Sequence, residues 1–194
     1  VAEALGHATV AAFDSGNLPA VAQALHAKFP DKPIVIAGDD DRQAELTQGI
    51  NPGRKKALEA AKAVGGKAIF PIFAPGENSY PAELPPITPQ AWRAHEAARL
   101  ALSAAGDNKL PKPMDELKRD LLSDEQLEAL SRMKLRTDFN DVATRSTLGA
   151  EGVDRQVCSA VGKVLIEEGQ RQKREQLTMQ QEPEQHRQRR ARVQ

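Results

Sequence analysis

Cysteine is nearly absent. Cys158 is the only one in 194 residues, which excludes an internal disulfide and a multi-cysteine zinc site built within this chain. A reducing, cytoplasmic compartment is therefore expected. Aromatic residues make up only 4%, so the core has to be assembled from Ala, Val, Leu and Ile. No apolar run approaches the roughly 20 residues that span a bilayer, and no secretory signal pattern stands at the start, so no membrane partner is expected. An excess of charge is missing too. With 27 basic and 27 acidic residues, contact with nucleic acid must rest on local patches rather than on a global field. His7, His26, His95 and His186 have no metal-site spacing and are assigned to packing or surface.

What is present is a β/α alternation. Val1 to Gly6 reads as the last turns of a helix, so the chain is expected to be a fragment whose beginning is missing. Three apolar runs, 8–13, 34–38 and 67–73, have the character of strands. Helical patterns follow the first two: Leu18 to Lys28, with Asn17 as cap, and Gly53 to Val64, with Asn51 as cap and Pro52 in the first turn. Continuous apolar strands joined by helices predict a parallel α/β sheet covered on both faces, with ligands beyond the carboxyl ends of the strands. Residues 74–136 read as an insertion. It begins with a Pro-rich loop, continues in a helix from Thr88-Pro89 to about Ala105, and contains a capping box at Ser123–Gln126 that opens a short helix. Val153, Val157, Val161 and Leu165 mark a docking helix over 151–168, with Cys158 near its apolar face. Residues 169–194 form a polar tail, expected to be disordered or a frayed helix.

The most informative segment is Asp39-Asp40-Asp41 at the end of the second run. In extended backbone Asp39 and Asp41 project to one side and can share a hard cation such as Mg²⁺, with Asp40 pointing away. A solvated, Asp-rich turn is the alternative. Arg54, Lys55 and Lys56 open a helix whose exposed N–H groups suit a phosphate, or they form an ordinary solvated face. Asp138-Phe139-Asn140-Asp141 opens another helix. Its acids either cap that helix or stand beside Asp39 and Asp41 as further oxygen ligands, with Asn140 lining the cleft. Asp14 and Asn17, after the first run, either line the same edge or shape a turn.

The order of these pieces resembles the Toprim domain of bacterial primases, most closely the TraC-like primases of plasmids and mobile elements. The likeness covers about residues 1–150, interrupted by the insertion at 74–136, and its most specific parts are Asp39-x-Asp41 and Asp138-Phe-Asn-Asp141. It implies a Rossmann-like sheet whose edge holds Mg²⁺ or Mn²⁺ at Asp39 and Asp41, with Asp138 and Asp141 as the later acidic motif. It further implies synthesis of short RNA primers on single-stranded DNA from nucleoside triphosphates, in replication or conjugative transfer with other proteins of that machinery. Family members carry an earlier Glu-Gly motif whose Glu is a general acid/base. Here Glu3 does not replace it, because it lies on the helix that leads into the second family strand. A Toprim nuclease and a non-catalytic DNA- or partner-binding module are the alternatives. A topoisomerase would need a Tyr, and the only one is Tyr80, in the insertion.

Overall fold

The computed structural model describes residues 8–104 and 111–191, with side chains through residue 178. Two short parallel strands, β1 (Val35–Ala37) and β2 (Lys67–Ile69), pair in the register Val35↔Lys67, Ile36↔Ala68, Ala37↔Ile69. Eight helices accompany them among the described residues: α1 (Leu18–Lys28), α2 (Arg42–Gln48), α3 (Pro52–Ala63), α4 (Pro89–Ser103), α5 (Met114–Asp120), α6 (Asp124–Lys134), α7 (Phe139–Arg145) and α8 (Gly149–Ala191). The chain is thus α/β, helix-rich, with a small parallel pair at its centre.

Alternation along β2 separates two cores. Ala68 and Phe70 join the cluster of Ala22, Ile36, Ala57, Ala60, Ala61 and Val64, whereas Ile69 and Phe73 join Phe139, Val142, Val153 and Val157. Helices α1 and α3 therefore cover one face of the pair, and α7 and α8 the other. The alanine row of α3 lets it lie close against the strands, as the low aromatic content requires.

Local signals set most helix ends. The Asn51 side chain accepts from Arg54 N at the start of α3, the Thr88 hydroxyl accepts from Ala91 N at the start of α4, and Ser123 and Gln126 form a reciprocal capping box on α6. Two helices have no signal that the hydrophobic pattern reveals. Helix α2, Arg-Gln-Ala-Glu-Leu-Thr-Gln, carries no apolar stripe, yet it ends on Gly49 in the left-handed region (φ 78°) and is packed by α4 and α6. Helix α5 is equally polar and buries Leu117 against its surroundings. Residues 74–136 carry α4, α5 and α6, and α4 and α6 pack on α2. His95 on α4 is a packing residue whose Nδ1 accepts from Leu122 N at 3.1 Å, and the Tyr80 hydroxyl donates to Pro85 O within the Pro-rich loop.

Several expectations are corrected. Residues 8–13 form no strand: the described sheet has two strands, and this run belongs to neither. A strand exists only against a partner, and here Phe13 is fully exposed in the left-handed region (φ 63°), where the chain turns. Asn17 makes no capping hydrogen bond on α1, because a 3₁₀ turn at Ser15–Asn17 precedes that helix and is capped by Asp14. The third run is a strand only to Ile69, since Pro71 has no N–H to give a ladder. On α8 Val153, Val157 and Val164 are buried, Val161 is half-buried beside them, and Leu165 is exposed. At about 100° per residue, Leu165 lies roughly 120° from Val153 and Val164 only about 20° from it. Cys158 is exposed rather than packed. Of the two forms expected after residue 168, the described backbone is helical through Ala191, with Arg171 paired to Glu168 and Glu175 on its surface. The expected helix at 1–6 with Glu3, residues 192–194 and the side chains beyond 178 lie outside the described residues. No helix among the described residues is long and apolar enough to cross a membrane.

Candidate acidic site at the end of β1

Beyond Gly38 the three aspartates part company. Asp39 is exposed, Asp41 is half-buried and Asp40 is only 2% exposed. Asp40 turns inward as a structural hub. Its Oδ1 accepts from Asn51 Nδ2 at 2.7 Å and pairs with Arg54 at 3.0 Å, while its Oδ2 accepts from Arg42 Nε at 3.0 Å. Burial pushes its carboxyl up, but the hydrogen bonds from Arg42, Asn51 and Arg54, with the Arg54 charge, outweigh that and hold it below the usual carboxylate value. The Arg54 guanidinium also lies 4.3 Å from the centre of the Phe70 ring.

Asp41 is fixed by the helix that follows. Its N–H donates to Asn51 Oδ1 at 2.9 Å, and its Oδ2 accepts from Gly53 N at 2.8 Å at the start of α3. A side chain at position 53 would place its Cβ 2.8 Å from Asp39 Cβ and from Asp41 Oδ2, so only glycine lets α3 approach the acidic loop.

The later acidic segment arrives through the backbone, where Asp40 N donates to Thr137 O at 2.7 Å. Asp138 and Asp141 then form a capping box on α7. Asp138 Oδ1 accepts from Asp141 N (2.7 Å), and Asp141 Oδ2 accepts from Thr137 N (2.9 Å) and Asp138 N (3.4 Å). Arg145 takes the other Asp141 oxygen at 2.7 Å. The motif caps its helix, and its backbone stands beside the β1 loop. The electrostatics reflect that proximity. Asp39 is raised above the usual carboxylate range, first by burial and then by the charges of Asp41, Asp138 and Asp141.

Oxygen donors of this kind suit a hard cation, and crowded like charges are what a cation relieves. Among the described residues, no donor hydrogen-bonds the Asp39 carboxylate, and Asp41 Oδ1 and Asp138 Oδ2 are outside any hydrogen bond. Both oxygens of Asp141 are engaged, which leaves it to hold the loop. Among the described residues, no three His, Cys, Asp or Glu side chains form a group that could hold a metal ion unaided.

The other expected site residues are more scattered. Arg54 is turned onto Asp40, Lys56 pairs with Glu59 along the helix at 2.9 Å, and Lys55 is exposed. Asn140 is exposed on the first turn of α7. Asp14 and Asn17 serve their own turn, through Gly16 N to Asp14 Oδ1 (2.6 Å) and Asn17 Nδ2 to Ala12 O (3.3 Å). No described hydrogen bond or ion pair joins them to Asp39 or Asp41. Sequence reasoning missed Asp40, Gly53 and Thr137 as parts of the site. It also missed Glu77, whose carboxylate accepts from Ala74 N, Thr147 N (2.8 Å), the Thr147 hydroxyl (2.8 Å) and the Ser146 hydroxyl. Burial raises the Glu77 carboxyl, but these bonds prevail and bring it down to about 2.

The sequence has counterparts among known proteins. Over its whole length the chain is 70% identical to a stretch of a protein of Escherichia coli named DNA primase TraC. It is similar to one segment of that primase. A second E. coli protein of the same name is 60% identical over 89% of the chain. The chain spans about a fifth of the first TraC protein (19%) and 12% of the second. No protein-family model matches the chain, and no solved structure does.

Proposed function

We propose that this chain is the Toprim-like segment of a TraC-like DNA primase. In that role the acidic edge after β1 binds Mg²⁺ or Mn²⁺ during nucleotidyl transfer, and the whole protein makes short RNA primers on single-stranded DNA in the cytoplasm for plasmid or mobile-element replication and transfer. The observation that carries the reading is the approach of the Asp138 segment to the Asp39–Asp41 loop at one strand end, through Asp40 N to Thr137 O, in a chain 70% identical to part of a protein named as a primase. The lack of a three-acid group is compatible with it. Mg²⁺ is commonly held by one or two carboxylates together with substrate phosphates, rather than by an all-protein cage.

Asp39 and Asp41 hold the cation, and Asp138 completes the negative surface around it. When bound, the cation supplies charge neutralisation for the triphosphate and activates the attacking hydroxyl. The chain's own work is orientation. Gly53 N and Asn51 fix Asp41, Asp141 fixes Asp138, and Asp40 fixes the guanidiniums of Arg42 and Arg54 at the same edge, where positive charge can steady phosphate. The test is primer synthesis by the full-length protein on single-stranded DNA with ribonucleotides and Mg²⁺ or Mn²⁺. The Asp39→Asn, Asp41→Asn double variant is expected to lose at least 100-fold in product with an unchanged circular dichroism spectrum. Cut template without synthesis would indicate a Toprim nuclease instead.

A second reading, a non-catalytic DNA- or partner-binding module, draws on the commitment of Asp141 and one Asp138 oxygen to helix capping. Intact DNA binding, with neither synthesis nor cleavage, would favour it.

A further inference from the structure

Arg145 lies in the last turn of α7, outside the acidic edge, yet it closes a chain of hydrogen bonds that reaches it. Its Nη1 donates to Asp141 Oδ1 (2.7 Å) and to the carbonyl of Leu135 (2.8 Å), just past the end of α6. Asp141 passes the hold on. Its Oδ2 accepts from Thr137 N (2.9 Å) and Asp138 N (3.4 Å), and its own N–H donates to Asp138 Oδ1 (2.7 Å). Thr137 O then accepts from Asp40 N at 2.7 Å, between Asp39 and Asp41. One guanidinium nitrogen thus ties the end of α6, the start of α7 and the loop after β1 into a single frame.

The frame depends on a charge that needs a partner. Asp141 is only 7% exposed, and Arg145 is the cation that pairs with it among the described residues. Removing one member of a buried pair leaves the other uncompensated, so that it turns toward solvent or takes up a proton. Either response loosens the grip of Asp141 on Thr137 N and Asp138 N, and with it the placing of Asp138 against the β1 loop.

We propose that Arg145 is a positioning residue for cation binding at the acidic edge, acting through Asp141 on Asp138. The inference rests on the metal-binding reading of that edge. Its sign separates it from a bystander role. A positive side chain that merely stands near a metal repels it, so its removal tightens binding. A residue that holds the acids in place weakens binding when it is lost, by about tenfold for the outer partners of a metal ligand.

The experiment titrates the full-length protein with Mn²⁺, without nucleotide or DNA, and follows free Mn²⁺ by electron paramagnetic resonance. The binding that counts is the part removed by the Asp39→Asn, Asp41→Asn double variant. Arg145→Ala should weaken it about tenfold. Arg145→Lys, whose single ammonium can serve both acceptors as Nη1 does, should recover most of the loss. In primer synthesis the apparent KM for Mg²⁺ should rise in Arg145→Ala while kcat at saturating Mg²⁺ holds. If Arg145→Ala loses its circular dichroism spectrum, Arg145→Met, with a stem of similar reach, carries the comparison. Unchanged or tighter Mn²⁺ binding in the folded variant, no recovery with Arg145→Lys, or a fall in kcat with KM unchanged would overturn the proposal and leave the metal reading in place. Mn²⁺ binding that is absent, or indifferent to Asp39 and Asp41, would overturn both.

Discussion

Two acidic segments of similar composition do opposite work. In Asp138-Phe-Asn-Asp141 both aspartates accept backbone N–H groups, and one also holds Arg145, so their charge is stabilised by the start of α7. In Asp39-Asp40-Asp41 the roles divide: Asp41 accepts from Gly53 N at the start of α3, and Asp40 accepts from side-chain donors. Asp40 is buried among three donors, whereas Asp39 has no donor among the described residues and is raised by burial and then by the neighbouring carboxylates. An aspartate that has collected its donors is part of the scaffold. One that has collected like charges and no donor adds no bond to that scaffold.

That contrast can be broken by substitution. Asp40→Ala should have the largest effect on stability, about 3 kcal/mol in urea unfolding, because it strips a buried hub of its charge and leaves Asn51, Arg42 and Arg54 without their acceptor. An unchanged midpoint would demote the hub to a surface ion pair. Asp138→Ala should cost about 1 kcal/mol, the usual worth of an N-cap. Glu77→Gln sharpens the same distinction through pH. The carboxyl of Glu77 sits near 2 in the folded chain, below its ordinary 4.5, so its stabilising contribution is complete above pH 4.5 and is lost as pH falls toward 2. The variant should show a shallower loss of stability over that window in acid-titrated denaturation. Asp39→Asn should have the smallest effect and the opposite sign, a gain of at most about 0.5 kcal/mol at neutral pH, since solvent screens an exposed carboxylate. Because its folded carboxyl is raised, the gain should vanish below the ordinary value of 3.8, where both states are protonated. Mg²⁺ should raise the melting temperature of the unmodified protein and leave that of Asp39→Asn in place.

How much of this was legible depends on the distance over which each feature is determined. Caps at Asn51, Thr88 and Ser123 and the parallel β1–β2 pair are written in neighbouring residues and in a short apolar period. The fate of 8–13 was not legible, because a strand depends on a partner and the same letters serve for an exposed, turning segment. Helix α2 was hidden because its stability comes from α4 and α6 and from Gly49 rather than from an apolar stripe. The role of Glu77 was hidden by separation, since its partners Ser146 and Thr147 lie about 70 residues away in sequence. In the site, the pattern marked the acids and left open which were scaffold; only the donors around Asp40 and Asp141 decide that.

The Glu77 clamp has a consequence for how such chains can vary. By joining residue 77 to Ser146 and Thr147 it pins together the two ends of the stretch that contains α4, α5, α6 and α7. Doubling the length of a closed loop costs only about 0.6 kcal/mol in chain entropy. The part of that stretch ahead of Thr137 can therefore shorten or lengthen while the acidic edge keeps its shape, provided the glutamate, its two hydroxyl partners and the segment Thr137 to Asp141 are retained.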